Sequence, residues 1–223
     1  MLLLERLISL YAPHTCVECG AERDRLLCLP CRESIPGVPS RCYRCRVATR
    51  GFAVCGDCRG YTPLRHVYVA AHHEGAVREL LHRAKYERAQ AGIGEMAEIM
   101  QSLLPLLPSP AALVPIPTAS GRIRQRGYDQ SVLLARQLSR RSGLPAAYLL
   151  IRFGQAHQVG AGRNERLQHL RGAFRVKGAR ALPRHVVLVD DVLTTGATIE
   201  TAARALKKAG VRHVDAILFA QPP

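Results

Sequence analysis

Residues 186–198 read VVLVDDVLTTGAT, with two adjacent carboxylates, Asp190 and Asp191, closing an aliphatic run. The following turn, Val192, Leu193, Thr194, Thr195 and Gly196, passes through Ala197 and Thr198 into a helical pattern. Backbone N–H groups and the positive end of the helix dipole converge at such a turn, and an anion belongs there. Thr194, Thr195 and Thr198 add hydroxyl donors, and Gly196 lets the backbone approach a ligand closely. The two carboxylates can accept hydrogen bonds from a vicinal diol or hold a hydrated Mg²⁺. A phosphate on one side and a diol on the other describes a ribose 5-phosphate. Two alternatives compete. The Mg²⁺-organising strand of P-loop ATPases has the same apolar-then-acidic form, but the chain contains no G-x-x-x-x-G-K-[ST] to hold a triphosphate. Simple helix capping explains one threonine, but not three threonines with an acidic pair.

The eight cysteines form a second constellation of four CxxC pairs: Cys16/Cys19, Cys28/Cys31, Cys42/Cys45 and Cys55/Cys58. A two-residue gap lets one tight turn present two sulfurs to an ion, and two such turns complete a tetrahedral thiolate site. A disulfide framework would need an oxidising compartment, and a redox CxxC needs only one pair. The spacing therefore predicts two structural Zn²⁺ sites, closed to water and necessary for a segment with few apolar runs to fold. Sequential pairing gives two consecutive ribbons; pairing of the first knuckle with the third also satisfies the spacing. Arg41, Arg44, Arg46 and Arg50 around the third knuckle suit either nucleic acid contact or a solvated face.

The elements that must position the acidic turn follow from periodicity. HVYVAAHH, ALVPIP, AAYLLI, HVVLVDD and VDAILFA read as strands; EGAVRELLHRAKY and the stretch from Gly94 to Leu104 read as helices. GYDQSVLLARQLSRR places Val132, Leu133, Ala135 and Leu138 on one stripe, and a further helix runs from about Ala197 to Ala209 with Gly210 as its cap. Strands alternating with helices predict an α/β fold whose mostly parallel sheet is covered on both faces. Ligands collect beyond the carboxyl ends of such strands, where Asp190 and Asp191 fall. Residues 1–60 form the expected N-terminal module, an initial helix and the double ribbon, and residues 61–223 form the larger domain.

The formal charge is +15, carried by 28 Arg and 4 Lys against 17 acids. Two tetrathiolate zinc sites would lower it to about +11, still enough to favour phosphate-bearing partners. The apolar start MLLLERLISLYAP is interrupted by Glu5 and Arg6 and lacks a basic leader, and LLPLLPSPAALVPIP is broken by prolines. No secretory signal or membrane span is expected, which points to the cytoplasm. Residues Arg152 to Arg175 combine arginines with glycines, the composition of an anion-seeking loop. The scattered histidines suggest structural or surface roles.

With VVLVDDVLTTGAT, the four CxxC pairs, VPIPTASGRIRQRGYDQS and RFGQAHQVGAGRNERLQHLRGAF, the chain resembles the ComF/ComFC competence proteins. The acidic turn is similar to the phosphoribosyl pyrophosphate (PRPP) motif of type I phosphoribosyltransferases. That resemblance implies a phosphoribosyltransferase-like domain in which Asp190 and Asp191 meet the ribose hydroxyls and 194–198 cradle the 5-phosphate, with Mg²⁺ accompanying PRPP. It further implies pyrophosphate-side or DNA phosphate contacts from Lys85, Arg122, Arg126 and Arg163, and a flap carrying Arg152, Gln158, Arg163 and Asn164. Asp129 stands where the family's RGFNQ-like signature has asparagine. The implied role is single-stranded DNA binding during natural transformation, at the inner face of the cytoplasmic membrane with the helicase-like ATPase ComFA. The alternative is a Mg²⁺-dependent phosphoribosyltransferase acting on an unnamed acceptor.

Overall fold

The computed structural model describes residues 14–86, 90–153, 172–178 and 181–223. The expected N-terminal helix and the flap residues Gln158, Arg163 and Asn164 lie outside the described residues. The chain begins with a short hairpin of β1 (His14–Thr15) and β2 (Glu22–Arg23), followed by α1 (Leu29–Glu33). A second ribbon ends in α2 (Gly56–Arg59). Then come β3 (Val67–His72), α3 (Gly75–Tyr86), α4 (Gln90–Gln101), β4 (Ala111–Pro115), α5 (Ser120–Arg126) and α6 (Gln130–Ser142). A hairpin of β5 (Leu150–Arg152) and β6 (Phe174–Val176) precedes β7 (His185–Val192), α7 (Ala197–Lys208) and β8 (His213–Gln221).

The four long strands form one parallel sheet in the order β3-β8-β7-β4. Successive residues of a strand point to opposite faces, so β7 divides its side chains between two layers. Val187 and Val189 pack with Leu80 and Leu81 of α3, Met96 of α4 and Leu134 and Leu138 of α6. Val186 and Leu188 pack with Ile199, Ala202 and Leu206 of α7. Each fully buried aliphatic side chain contributes about 1.5–3 kcal/mol, so both layers hold β7 in one register. The α/β sheet with helices on both faces is the architecture that the periodicity predicts.

Three local expectations change. The buried stripe of α6 is Ser131, Leu134, Ala135 and Leu138, and Val132 and Leu133 are only half-buried. Asp129 caps that helix by accepting the Ser131 N–H, and from that start 131, 134, 135 and 138 recur at the i, i+3, i+4 and i+7 spacing of one face. AAYLLI does not add a strand to the main sheet. It touches β4 through a bridge at Ala146, and Leu150 then turns away to bury itself with Phe174 in the α7 layer. Helix α7 ends with Ala209 as its cap, and Gly210 follows in the left-handed region.

The cysteine ribbons pack directly onto this sheet. β3 is an edge strand, and the second ribbon covers it: the Val54 N–H donates to Arg65 O at 2.8 Å and the Val67 N–H to Phe52 O at 3.0 Å. Pairing the edge satisfies backbone groups that would otherwise invite another chain.

Candidate functional site

The period of the strand separates the acidic pair. Asp191 leaves on the α3 face, where Lys85 Nζ meets its Oδ2 at 2.7 Å. Asp190 follows Val186 and Leu188 towards the α7 face, within electrostatic reach of Arg152 on the hairpin. Burial and then the adjacent Asp191 carboxylate push Asp190 up to about 8, against a 2.9 Å hydrogen bond that Asp190 Oδ1 accepts from the Asp191 N–H. Burial opposes ionisation of Asp191 too, but the Lys85 ammonium and Arg126 hold its pKa below the ordinary carboxylate value. Two neighbouring acids thus divide into one carboxylate and one group that keeps its proton near neutral pH.

Beyond them the turn closes tightly. The Leu193 N–H donates to Ala220 O at 2.8 Å, tying the turn to β8. Gly196 is the N-cap of α7 in the left-handed region (φ 78°) and supplies no side-chain cap. Thr195 Oγ1 receives only a long 3.4 Å contact from the Ala197 N–H. The N-cap residue therefore puts no side chain over the first amides of α7, which leaves that terminus open beside Thr194, Thr195 and Thr198.

The segment after β4 forms the opposite wall. This segment contains helix α5, which carries Arg122 and Arg126 about one turn apart, with Arg122 exposed and Arg126 half-buried. Asp129 acquires a definite role: its carboxylate accepts the Thr118 N–H (3.1 Å), the Thr118 hydroxyl (2.9 Å) and the Ser131 N–H (3.1 Å), pinning the loop after β4 to the start of α6. An asparagine offers one acceptor oxygen, whereas this clamp uses both. Arg152 reaches Pro117 O at 3.4 Å and lies over the Phe174 ring. The Nε atoms of Arg126 and Arg152 are buried without a protein acceptor. Two such donors facing an acidic pair and an open helix terminus fit an anionic ligand. The structure therefore brings together Asp190, Asp191, Lys85, Arg126, Arg152 and the 192–198 turn.

The cysteines gather as Cys16, Cys19, Cys28 and Cys31, and as Cys42, Cys45, Cys55 and Cys58, which resolves the pairing as sequential. Within each set the sulfurs lie within 4.8 Å of one another. Sulfur–sulfur separations of 3.5 Å (Cys45 to Cys55), 3.6 Å (Cys16 to Cys28) and 3.9 Å (Cys19 to Cys28) bracket the edge of about 3.8 Å expected for four sulfurs about 2.3 Å from one zinc. They exclude disulfides, whose sulfurs approach to about 2.05 Å. Burial raises the Cys16 and Cys42 thiols, but backbone N–H groups of their knuckles overcome it and bring both down to about 6. The donor set suits zinc in both sites.

A phosphoribosyl transferase domain matches residues 129–223. Over 200 residues the chain is 30% identical to competence protein F of Haemophilus influenzae, covering 84% of this chain and 87% of the relative. The chain belongs to the ComF family. It is also 30% identical over 199 residues to competence protein ComFC of Bacillus subtilis, 84% of this chain and 80% of the relative. DNA utilization protein YhgH of Escherichia coli K12 is 28% identical over 205 residues, 84% of this chain and 87% of the relative.

In this ComF-family chain, Glu200, Tyr43 and His73 bear on the site without having been assigned to it from the sequence. Glu200, in the first turn of α7, is wholly buried. Its Oε1 accepts from the Tyr43 hydroxyl at 2.7 Å and from Arg44 Nη1 at 2.8 Å, both from the third knuckle. Tyr43 Oη also lies 2.7 Å from Thr62 Oγ1; having one proton, it donates to the carboxylate and accepts from the threonine. An acid on the apolar stripe of an otherwise amphipathic helix was the available sequence cue. His73 lies close to Lys85 and Asp191, and burial, then Lys85 and Arg78, keep its pKa below the ordinary value. Among the described residues, no helix is long and apolar enough to cross a membrane.

Proposed function

We propose that this protein serves DNA uptake in natural transformation as a single-stranded DNA-binding factor whose phosphoribosyltransferase-like domain binds PRPP with Mg²⁺. The observation that carries the PRPP part is the convergence of the open α7 terminus, the Asp190/Asp191 pair and the unpartnered donors of Arg126 and Arg152. In this reading the 194–198 turn holds the 5-phosphate, Asp190 and Asp191 take the ribose hydroxyls, and Arg126 and Arg152 face the pyrophosphate. Mg²⁺ would neutralise pyrophosphate oxygens. Asp190 must give up its proton to accept from a diol or approach a cation. Ligand affinity therefore rises with pH up to about 8, by at most tenfold per pH unit.

The DNA part draws on the names of the relatives, on the charge of +15, and on the surface beside α7. There an open groove of about 920 Å³ is lined by Arg175, Arg204 and Lys208. Arg175 lies 4.8 Å over the half-exposed Phe153 ring and Arg44 5.9 Å over the exposed Tyr61 ring, which supplies both charge and stacking faces for unpaired bases. The helicase-like ATPase ComFA at the inner membrane face is the proposed partner.

A second reading, a phosphoribosyltransferase with an acceptor still to be found, is favoured by the same paired arginines, because donors facing the pyrophosphate would stabilise its departure. Titrations of Mg²⁺·PRPP and of single-stranded DNA across salt, on the parent and on Asp190→Ala with Asp191→Ala, test both parts. The double substitution should abolish PRPP binding and spare DNA binding. A parent chain without PRPP affinity would overturn the ligand assignment, and undetectable DNA binding at low salt would overturn direct contact with DNA.

A further inference from the structure

We propose that the second four-thiolate site governs the phosphate turn, so that metal at Cys42, Cys45, Cys55 and Cys58 controls ligand affinity at 194–198 while metal at the first site does not. This rests on the phosphate reading of that turn. The two residues enclosed by the third CxxC are Tyr43 and Arg44, and a knuckle closed around a metal fixes the backbone of both. They converge on a single carboxylate oxygen, Glu200 Oε1, at 2.7 and 2.8 Å. The Glu200 N–H in turn donates to Gly196 O at 3.0 Å, so the knuckle holds the hydrogen-bonded turn in which the phosphate loop ends.

Two other links run in parallel. Cys42, Leu193 of the turn and Ile199 of α7 belong to one buried apolar cluster. Arg46, the residue after Cys45, donates through Nη1 to Gln221 Oε1 at 2.8 Å, next to Ala220, whose carbonyl anchors the Leu193 N–H. The knuckle thus grips both sides of the loop. When its metal is lost, the knuckle loses the free energy that folds it, and Glu200 Oε1 loses the two donors that hold it, leaving Arg204, 3.8 Å from Oε2, as a counter-charge on a half-exposed side chain. The first turn of α7 must then shift to rehydrate Glu200, carrying the open amides with it. The first site shares an apolar cluster with Val192 and Ala220, but among the described residues its polar contacts run elsewhere: its arginines, Arg25 and Arg32, bind Glu95 and Glu98 of α4 in the other layer.

The test is amide hydrogen exchange at 193–200 in the full-length, zinc-loaded protein, paired with Mg²⁺·PRPP titration. Tyr43→Phe keeps every cysteine and removes one hydroxyl. Zinc content should be unchanged, exchange at 193–200 should quicken about tenfold, and PRPP affinity should fall. Cys45→Ser with Cys58→Ser should lose one zinc and show a larger effect. Cys19→Ser with Cys31→Ser should lose the other zinc, raise exchange at 90–101 and leave 193–200 unchanged. Unaltered exchange at 193–200 in Tyr43→Phe, or equal acceleration in both cysteine variants, overturns the coupling. Should the second cysteine pair variant fail to fold, Tyr43→Phe and Glu200→Gln decide alone. A parent chain without PRPP affinity sinks the phosphate reading, and the exchange data still decide the coupling.

Discussion

In the first ribbon, the Gly20 N–H donates to Cys16 O at 2.9 Å and the Cys16 N–H to Ala21 O at 2.8 Å; in the second, Arg46 donates to Cys42 O at 2.8 Å and Cys42 to Val47 O at 2.9 Å. The offsets are identical. Each second pair also sits alike, with Cys28 and Cys55 as N-caps of short helices. The outward contacts differ. The first ribbon meets α4 through a partly exposed network of Arg25, Arg32, Glu95 and Glu98, whereas the second meets α7 through a buried Glu200 and covers the β3 edge. Two four-cysteine modules of the same local geometry therefore make different outward contacts, and in the second the two residues enclosed by the first CxxC make the buried ones. In the first knuckle the enclosed residues are Val17 and Glu18, in the third Tyr43 and Arg44.

The largest test of that contrast removes a ligand from each ribbon. Cys42→Ser takes away a wholly buried thiolate shared with the α7 core, and should cost one zinc and destabilise the chain by several kcal/mol. Cys19→Ser, at an exposed position, should cost the other zinc and lower the melting temperature less. Metal analysis and thermal unfolding read both. Next comes the polar anchor. Glu200→Gln should cost about 3–5 kcal/mol because it leaves Arg44 without its buried counter-charge, against about 1 kcal/mol for Glu98→Gln, whose side chain is 27% exposed. Equal losses in denaturant unfolding would erase the distinction.

Acid separates the ribbons more gently. Burial raises Glu98, but Arg25 and Arg32 outweigh it and hold its pKa below the ordinary 4.5. A depressed carboxylate contributes stability that is present above its unfolded pKa and lost as pH falls through the folded one. The stability difference between the parent and Glu98→Gln should thus shrink below about pH 4.5, and exchange at 90–101 in the parent should rise with it. The smallest effect concerns the residue after each first CxxC. Gly20 and Arg46 both occupy the left-handed region, at φ 72° and 65°. Gly20→Ala should cost about 1 kcal/mol, from backbone conformation alone, since nothing lies within 4 Å of a new Cβ. Arg46→Gly should be nearly neutral, relieving that strain while giving up the bond to Gln221.

Much of this was legible in the residues. The strand HVVLVDD and the small-residue turn after it needed no neighbours to be read, because a buried parallel strand must be apolar on both faces and a helix that follows it directly needs a turn of small residues. The cysteine spacing likewise prescribed tetrahedral sulfur sites. Other features were not. That Asp190 and Asp191 face opposite layers follows from the strand period, but which layer holds Lys85 depends on how α3 crosses the sheet. Asp129 could be placed in a motif without a role, since its partner Thr118 is eleven residues away and meets it only when β4 and α6 pack.

The sequence by itself determined the chemistry available: a small-residue turn opening a helix, an adjacent acid pair and two sets of thiolates, each written in residues close enough for local geometry to join. Tertiary structure decided how these act on one another. Sequential pairing of the knuckles, the split protonation of the acids and the grip of Tyr43 and Arg44 on Glu200 join residues up to 157 positions apart. Local spacing specifies none of those meetings; they exist because burying two apolar layers against one sheet leaves each polar group only the partners that the packing delivers.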